Sequence, residues 1–164
     1  MKTKNVISFG SSLFILFLVI RSSAQASASS DSLIVPSFGK IYVYNRTTTP
    51  LNVIIMISGD NGWKSETAGF SQTFSEMHTL VIGVDIQRYY KNLRQRNDDC
   101  YNVAADFVQL ATEVEKKYDF PDYKPPIIMG YSKGATLVYG IIAQARPCGL
   151  CKKNATQSVP RSKS

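Results

Sequence analysis

The residues Ile127-Ile128-Met129-Gly130-Tyr131-Ser132-Lys133-Gly134 decide the fold of this chain. The apolar start of this stretch predicts a short buried strand, and the apolar run from Ala135 to Ala145 predicts a helix after it. Gly130 to Gly134 fit the pattern G-x-S-x-G, in which a serine occupies a tight strand-to-helix turn. The helix N-terminus would stabilise negative charge developing beside that serine. The pattern predicts that Ser132 is a nucleophile; the alternative is a structural glycine-rich turn.

Two further apolar runs upstream predict neighbouring strands of the same sheet. Leu51 to Ile57 and Leu80 to Val84 are almost wholly apolar, which is typical of strands buried on both faces. Two shorter β-like runs, Leu33 to Val35 and Ile41 to Tyr44, lie nearer the start of the chain.

Helices are predicted between these strands. The first spans Trp63 to Met77, with Trp63, Phe70 and Phe74 on one face. The next runs from N-cap chemistry at residues 97–99 to about Tyr118. Strands and helices therefore alternate, which predicts an α/β fold: a mostly parallel sheet with helices on both faces.

Polar segments follow two of the predicted strands at their carboxyl ends, where sites form in open α/β sheets. In the loop Ser58-Gly59-Asp60-Asn61-Gly62-Trp63, a backbone N–H near Gly59 or Asp60 would join that of Lys133 in an oxyanion hole. Asp85 ends the other strand, and it either orients a substrate amine or caps the loop. The basic and aromatic segment from Gln87 to Asn97 is predicted as a loop that contacts a phosphate headgroup or is simply solvated.

The two ends of the chain differ from its middle. Lys2 and Lys4, an apolar stretch and the small residues 24–26 predict a signal peptide over residues 1–26. A flexible leader is expected at 27–38, a partial domain at 39–147 and an atypical, disordered tail at 148–164. The predicted location is periplasmic or otherwise exported, with no transmembrane span after cleavage.

Charge and cysteine content limit the classes of function. The net charge of +7 comes from the two ends, because residues 27–147 carry 12 basic and 12 acidic side chains. This balance argues against direct nucleic-acid binding, which usually needs a basic face. The only histidine is His78, and the three cysteines are Cys148 and Cys151, an incidental pair, and Cys100, which stands alone. Four zinc ligands are therefore not available, and we predict neither a metal nor a cofactor.

Three ordered motifs between Leu51 and Pro147 resemble the VirJ and AcvB group of bacterial virulence proteins. They are the SGDNGW loop, the VIGVD strand followed by QRYY, and GYSKG. The resemblance implies an exported α/β-hydrolase that hydrolyses aminoacylated phosphatidylglycerol and is associated with T-DNA transfer, hence with secretion-system proteins. By position, Ser132 matches the nucleophile of the family, and Gly59-Asp60 match its oxyanion loop.

The chain departs from the family pattern in three ways. Asn61 stands where glycine is usual, and Lys133 replaces a commonly apolar residue. Residues 133–164 contain no Asp, Glu or His, although a triad of this fold places its acid and histidine after the serine. His78 is expected at the opposite edge of the sheet from Ser132. The predicted protein is thus a hydrolase that is incomplete at its C-terminus and inactive; the alternative is a non-catalytic periplasmic binding or secretion-partner protein on a degenerate hydrolase scaffold.

Overall fold

A computed structural model describes residues 30–98, 100–120 and 122–145 of the chain. These residues form one sheet and its covering helices. The strands are β1 (Ser30–Val35), β2 (Gly39–Tyr44), β3 (Asn52–Ile57), β4 (Thr79–Val84) and β5 (Ile127–Gly130). The helices are α1 (Ser65–Ser75), α2 (Ile86–Gln95), α3 (Val103–Lys117) and α4 (Lys133–Ala145). The predicted α/β class is confirmed.

The strand order across the sheet is β1-β2-β4-β3-β5. The pairs β3–β4 and β3–β5 are parallel, whereas β2 is antiparallel to both β1 and β4. The sheet is therefore mixed, and only its β4-β3-β5 part has the parallel arrangement expected from the sequence. In that part the carboxyl ends of three strands meet at one edge.

Helices cover both faces of the sheet. On one face, Phe74 of α1 packs with a small cluster around Met56 and Val81. On the other face, α2, α3 and α4 bury side chains in the main core, including Tyr89, Phe107 and Leu137. Alternate residues of the strands point into the two cores, as the twofold repeat of a strand requires.

Two sequence predictions about α2 and α3 are wrong in detail. The segment predicted as a loop after Asp85 is helix α2, whose signal was the helical spacing of Ile86, Tyr89 and Leu93 behind an N-cap residue. The N-cap of α3 is Asn102 rather than residues 97–99, and its side chain accepts a hydrogen bond from the Ala105 amide at 3.1 Å.

The first predicted helix is shorter than expected. It begins at Ser65, so Trp63 precedes α1 and does not share a face with Phe70 and Phe74. Phe70 is also half exposed, whereas Trp63 and Phe74 both pack against the cluster around Met56. β1 lies inside the segment predicted as a leader. The predicted signal peptide and the predicted tail lie outside the described residues.

Candidate active site

Ser132 occupies the turn between β5 and α4. Its φ is +52°, in the left-handed region that residues with a Cβ seldom adopt. The turn is held by the Tyr131 amide, which donates to the Ile57 carbonyl at 2.9 Å, and by the Gly134 amide, which donates to the Tyr131 carbonyl at 2.8 Å. Strain of this kind persists only where the surrounding structure enforces it.

The two glycines of the motif allow this turn to form. A Cβ at Gly134 would lie 2.5 Å from the Ile57 carbonyl oxygen and 2.6 Å from that of Ser58. A Cβ at Gly130 would overlap the backbone of Gly134 and Ala135. Both positions therefore need glycine because backbone packs against backbone, which is the physical reason for the spacing of the motif.

The loop after β3 lies directly against the serine. A Cβ built on Gly59 would be 3.3 Å from the Ser132 Cβ and 3.1 Å from the ring of Tyr131. The closeness of Gly59 and Ser132 predicted from the sequence is therefore found. Among the described residues, the backbone amides of Asp60 and Lys133 have no hydrogen-bond acceptor. This absence of an acceptor within the described residues is also what an oxyanion donor requires.

Asp85 supports this loop from behind. Its carboxylate accepts hydrogen bonds from the Trp63 amide at 3.2 Å and, as the N-cap of α2, from the Gln87 amide at 2.9 Å. Asp85 is buried and does not line the cleft beside Ser132. Gly62, with φ of +75°, closes the loop through its amide, which donates to the Gly59 carbonyl at 3.0 Å.

Asp60 and Lys133 form an ion pair across the site. The Lys133 Nζ lies 2.9 Å from Asp60 Oδ1. The ion pair therefore joins the strand-to-helix turn of residues 130–134, called the elbow below, to the loop after β3. The hydrogen bond to Asp60 raises the pKa of Lys133, and the charge of the carboxylate adds to the effect. Both side chains are more than half exposed, so the ion pair bridges the rim rather than the floor of the site.

A cleft of about 700 Å³ opens beside Ser132. Its lining includes several residues that the sequence did not indicate, because α1 and α2 bring them there only in the folded chain. Gln87, whose side-chain amide donates to the Asp60 carbonyl, connects α2 to the cleft. The other unpredicted lining residues are Lys64, Ser65, Glu66, Thr67 and Tyr131.

His78, the histidine that could act as a base, does not lie beside Ser132. His78, the only histidine of the chain, lies between α1 and β4 at the start of β4. Ser132 follows the end of β5, and β4 and β5 are both parallel to β3. The two residues are therefore at opposite ends of the sheet, separated by about the length of a six-residue strand, ~17 Å.

The comparisons with known proteins identify the family. A family model described as bacterial virulence protein (VirJ) matches residues 52–154, more than half of the chain. The chain belongs to the VirJ family. The match confirms the resemblance read from the motifs and includes the Gly59 loop, Asp85 and Ser132. Neither the curated proteins nor the solved structures give a match.

Three further findings bear on the chemistry of this VirJ-family chain. Within residues 30–98, 100–120 and 122–145, no group of three or more His, Cys, Asp or Glu is placed to hold a metal ion. In the same residues no helix is long and apolar enough to cross a membrane. Cys100 is disulfide-bonded, so the expectation that it stands alone is wrong.

Proposed function

We propose that this VirJ-family chain carries the nucleophile and oxyanion hole of a serine ester hydrolase of the α/β-hydrolase type. The observation that carries the proposal is the strained turn at Ser132, packed against the Gly59 loop. The position of this turn after β5, at the edge where three parallel strands end, supports the assignment. Backbone amides in such a place stabilise an oxyanion by direct hydrogen bonds.

The reaction would begin when the Ser132 Oγ attacks the carbonyl carbon of an ester. The carbonyl oxygen would gain negative charge and accept hydrogen bonds from the amides of Asp60 and Lys133. Departure of the alcohol would leave an acyl-enzyme, which water then hydrolyses. Both steps need a base to accept a proton, and a serine hydroxyl is a weak nucleophile without one. We therefore expect the chain itself to be nearly inactive, because His78 is too far away.

The substrate class we propose is an aminoacyl ester, such as that of aminoacylated phosphatidylglycerol. The cleft carries the carboxylates of Asp60 and Glu66, which suit the ammonium group of an aminoacyl moiety. Membership of the VirJ family supports a role in bacterial virulence and does not by itself specify a substrate.

An exported, periplasmic location is part of the proposal. The pattern of residues 1–26 supports it. The disulfide at Cys100 supports it independently, since disulfides persist in oxidising compartments such as the periplasm.

Rescue by imidazole tests the proposed nucleophile. Imidazole in solution can act as the absent base, so hydrolysis of p-nitrophenyl butyrate should rise several-fold more with imidazole in the parent than in Ser132→Ala. Ser65→Ala is the matched control, because Ser65 also lines the cleft but lies on α1. This control should retain the imidazole-dependent rate of the parent.

The second candidate is a non-catalytic binding or secretion-partner protein. The position of His78 at the far end of the sheet favours it. Equal imidazole-dependent rates in the parent and in folded Ser132→Ala would contradict the hydrolase proposal and favour a binding or secretion-partner protein. Binding of aminoacyl-phosphatidylglycerol by a protein without turnover would then support a binding role.

A further inference from the structure

We propose that three side chains on α2 dock this protein on an anionic lipid surface with the mouth of the cleft facing the lipid headgroups. These residues, Arg88, Lys91 and Arg94, are called the cationic stripe below. The proposal rests on the proposed function, because it explains how an ester in a membrane would reach Ser132.

The cationic stripe is one exposed face of a firmly anchored helix. Its residues recur at every third position, which at about 100° per residue places them within one arc of about 120°. All three side chains are exposed, whereas Ile86 and Tyr89 on the inner side of α2 are buried. Helix α2 contains no acidic residue. Arg88 Nε lies 3.5 Å from the N-cap carboxylate of Asp85, so Lys91 and Arg94 carry most of the positive charge of the stripe.

The stripe lies beside the cleft. Gln87, the residue before Arg88, lines the cleft and donates a hydrogen bond to the loop at Asp60. Asp60 in turn accepts a hydrogen bond from Lys133, whose Nζ lies 2.9 Å from Asp60 Oδ1. Lys91 and Arg94 follow Gln87 by four and seven residues, so they lie on the face of α2 that Gln87 turns toward the cleft.

Two exposed aromatic rings lie on the other side of the same mouth. Phe70 of α1 is 49% exposed and Tyr131 is 48% exposed, with ring centroids 6.4 Å apart. Tyr131 also lines the cleft. Aromatic rings favour the headgroup region of a bilayer, and lysine and arginine are attracted to anionic lipid. The cleft therefore opens between an aromatic rim and a cationic rim.

The combination favours a lipid surface over a nucleic acid. A nucleic-acid binder would need a broader basic face, and the cleft beside the stripe also carries the carboxylates of Asp60 and Glu66. A polyanion that entered the cleft would meet Glu66, whereas on the rim the carboxylate of Asp60 is paired with Lys133.

Vesicle sedimentation tests the proposal with the chain that lacks its predicted signal peptide. Vesicles of phosphatidylglycerol with phosphatidylcholine are compared with vesicles of phosphatidylcholine alone. The variant Lys91→Gln/Arg94→Gln should bind the anionic vesicles about 30-fold more weakly, since each cation near such a surface is worth about a factor of five. Binding should also weaken as salt screens the charges.

A matched control removes the same charge elsewhere. Lys116 and Lys117 are exposed on the last turn of α3, and Lys117 lies 3.9 Å from Asp31 at the far end of the sheet. Lys116→Gln/Lys117→Gln should bind like the parent. Equal loss in both double variants would overturn the proposal, because it would show an effect of net charge alone.

The aromatic rim and the nucleophile provide independent checks. Phe70→Ser should weaken binding, whereas Tyr139→Ser, at a 76% exposed position on α4, should not. Ser132→Ala should sediment like the parent, so failure of the hydrolase proposal would not affect this assay. If the stripe variant lost affinity for single-stranded DNA but kept its affinity for vesicles, the stripe would be a nucleic-acid surface and the proposal would be wrong.

Discussion

Strands β4 and β5 lie on either side of β3, yet they differ strongly in how well they are covered. All six residues of β4 are buried, with β2 and β3 as neighbours. β5 has β3 as its only neighbour among the described residues, and Ile127 is 55% exposed. The candidate nucleophile therefore follows the less covered of the two strands.

β4 and the turn after β5 are held in place by different interactions. β4 is held by apolar burial on both faces, which is non-directional and large in sum. The turn after β5 is held by backbone contacts, through the Tyr131 amide on the Ile57 carbonyl and the close approach of Gly134 to the same residue. Ser132 can thus be placed accurately at a margin of the fold that side-chain burial supports only weakly.

The largest expected effect compares the same substitution on the two strands. Ile82 of β4 is fully buried, so Ile82→Ala should lower the free energy of unfolding by about 2–5 kcal/mol. Ile127→Ala on β5 should cost less than about 1 kcal/mol because half of the side chain is already in water. Urea denaturation of both variants measures the difference. Similar losses of unfolding free energy in the two variants would show that Ile127 is covered in solution and that β5 is as well buried as β4.

The next effect tests backbone fit. A Cβ at Gly134 has no room beside the Ile57 and Ser58 carbonyls, so Gly134→Ala should cost about 1–3 kcal/mol and displace Ser132. Gly140 is in the same helix, and a Cβ there would meet nothing within 4 Å. Gly140→Ala should therefore stabilise the protein by about 0.5–1 kcal/mol.

Thermal unfolding and the imidazole-dependent esterase rate check this pair. The Gly140 variant should keep the rate of the parent, and the Gly134 variant should lose it. Retention of the full rate by Gly134→Ala would mean that the elbow adjusts easily and is not fixed by backbone fit.

The parts predicted from the sequence are those whose signal is local. The runs around Ile55, Ile82 and Ile128 predicted the three parallel strands within one residue at each end, because apolar runs bounded by polar residues specify strands. The burial predicted for Ile127 to Met129 is wrong, because β5 is exposed or only partly buried at every residue. The motif also predicted the strand-to-helix turn at Ser132. Its two glycines are required by contacts four or five residues away, at Gly130, or with the end of the adjacent strand, at Gly134.

The parts that were missed depend on the rest of the fold. The direction of β2 is set by its pairing with β4, some forty residues later in the chain, and nothing in Ile41 to Tyr44 encodes that direction. Helix α2 was missed because its many charged residues conceal the spacing of Ile86, Tyr89 and Leu93. Gln87 and Glu66 reach the cleft only after β3 and β4 have paired, so sequence motifs could not identify them.

A smaller effect concerns the support that β4 gives to the site. Asp85 holds Trp63 and caps α2, so Asp85→Ala should cost about 0.5–2 kcal/mol and lower the imidazole-dependent rate. Asparagine caps helices nearly as well as aspartate, and Asp85→Asn should therefore recover most of the stability. Because asparagine offers a single acceptor oxygen, Asp85→Asn should not recover the full imidazole-dependent rate. The full parent rate in Asp85→Asn would show that the contact with the Trp63 amide does not position the loop.

The smallest effect tests the entrance to β5. Glu115 of α3 is buried, and its Oε2 accepts a hydrogen bond at 2.8 Å from the Lys124 amide, which lies in the segment leading into β5. Oε1 has no hydrogen-bond partner in the described part of the chain. Burial raises the pKa of Glu115 above its ordinary value of 4.5, against the opposing effects of the Lys124 amide and charge.

The sign of the resulting pH dependence follows from this shift. The folded chain binds the Glu115 proton more tightly than the unfolded chain does, so stability from this group is fully present below pH 4.5 and is lost as pH rises through the folded pKa. Glu115→Gln keeps an acceptor for Lys124 and cannot ionise. Its stability relative to the parent should therefore improve between pH 4.5 and 7.5, as measured by urea midpoints, whereas the exposed Glu113→Gln should show no such trend. If Glu115→Gln and Glu113→Gln showed the same pH trend, the segment that leads into β5 would be as exposed to solvent as Ile127 is. The difference in burial between β4 and β5 would then apply to the whole of β5.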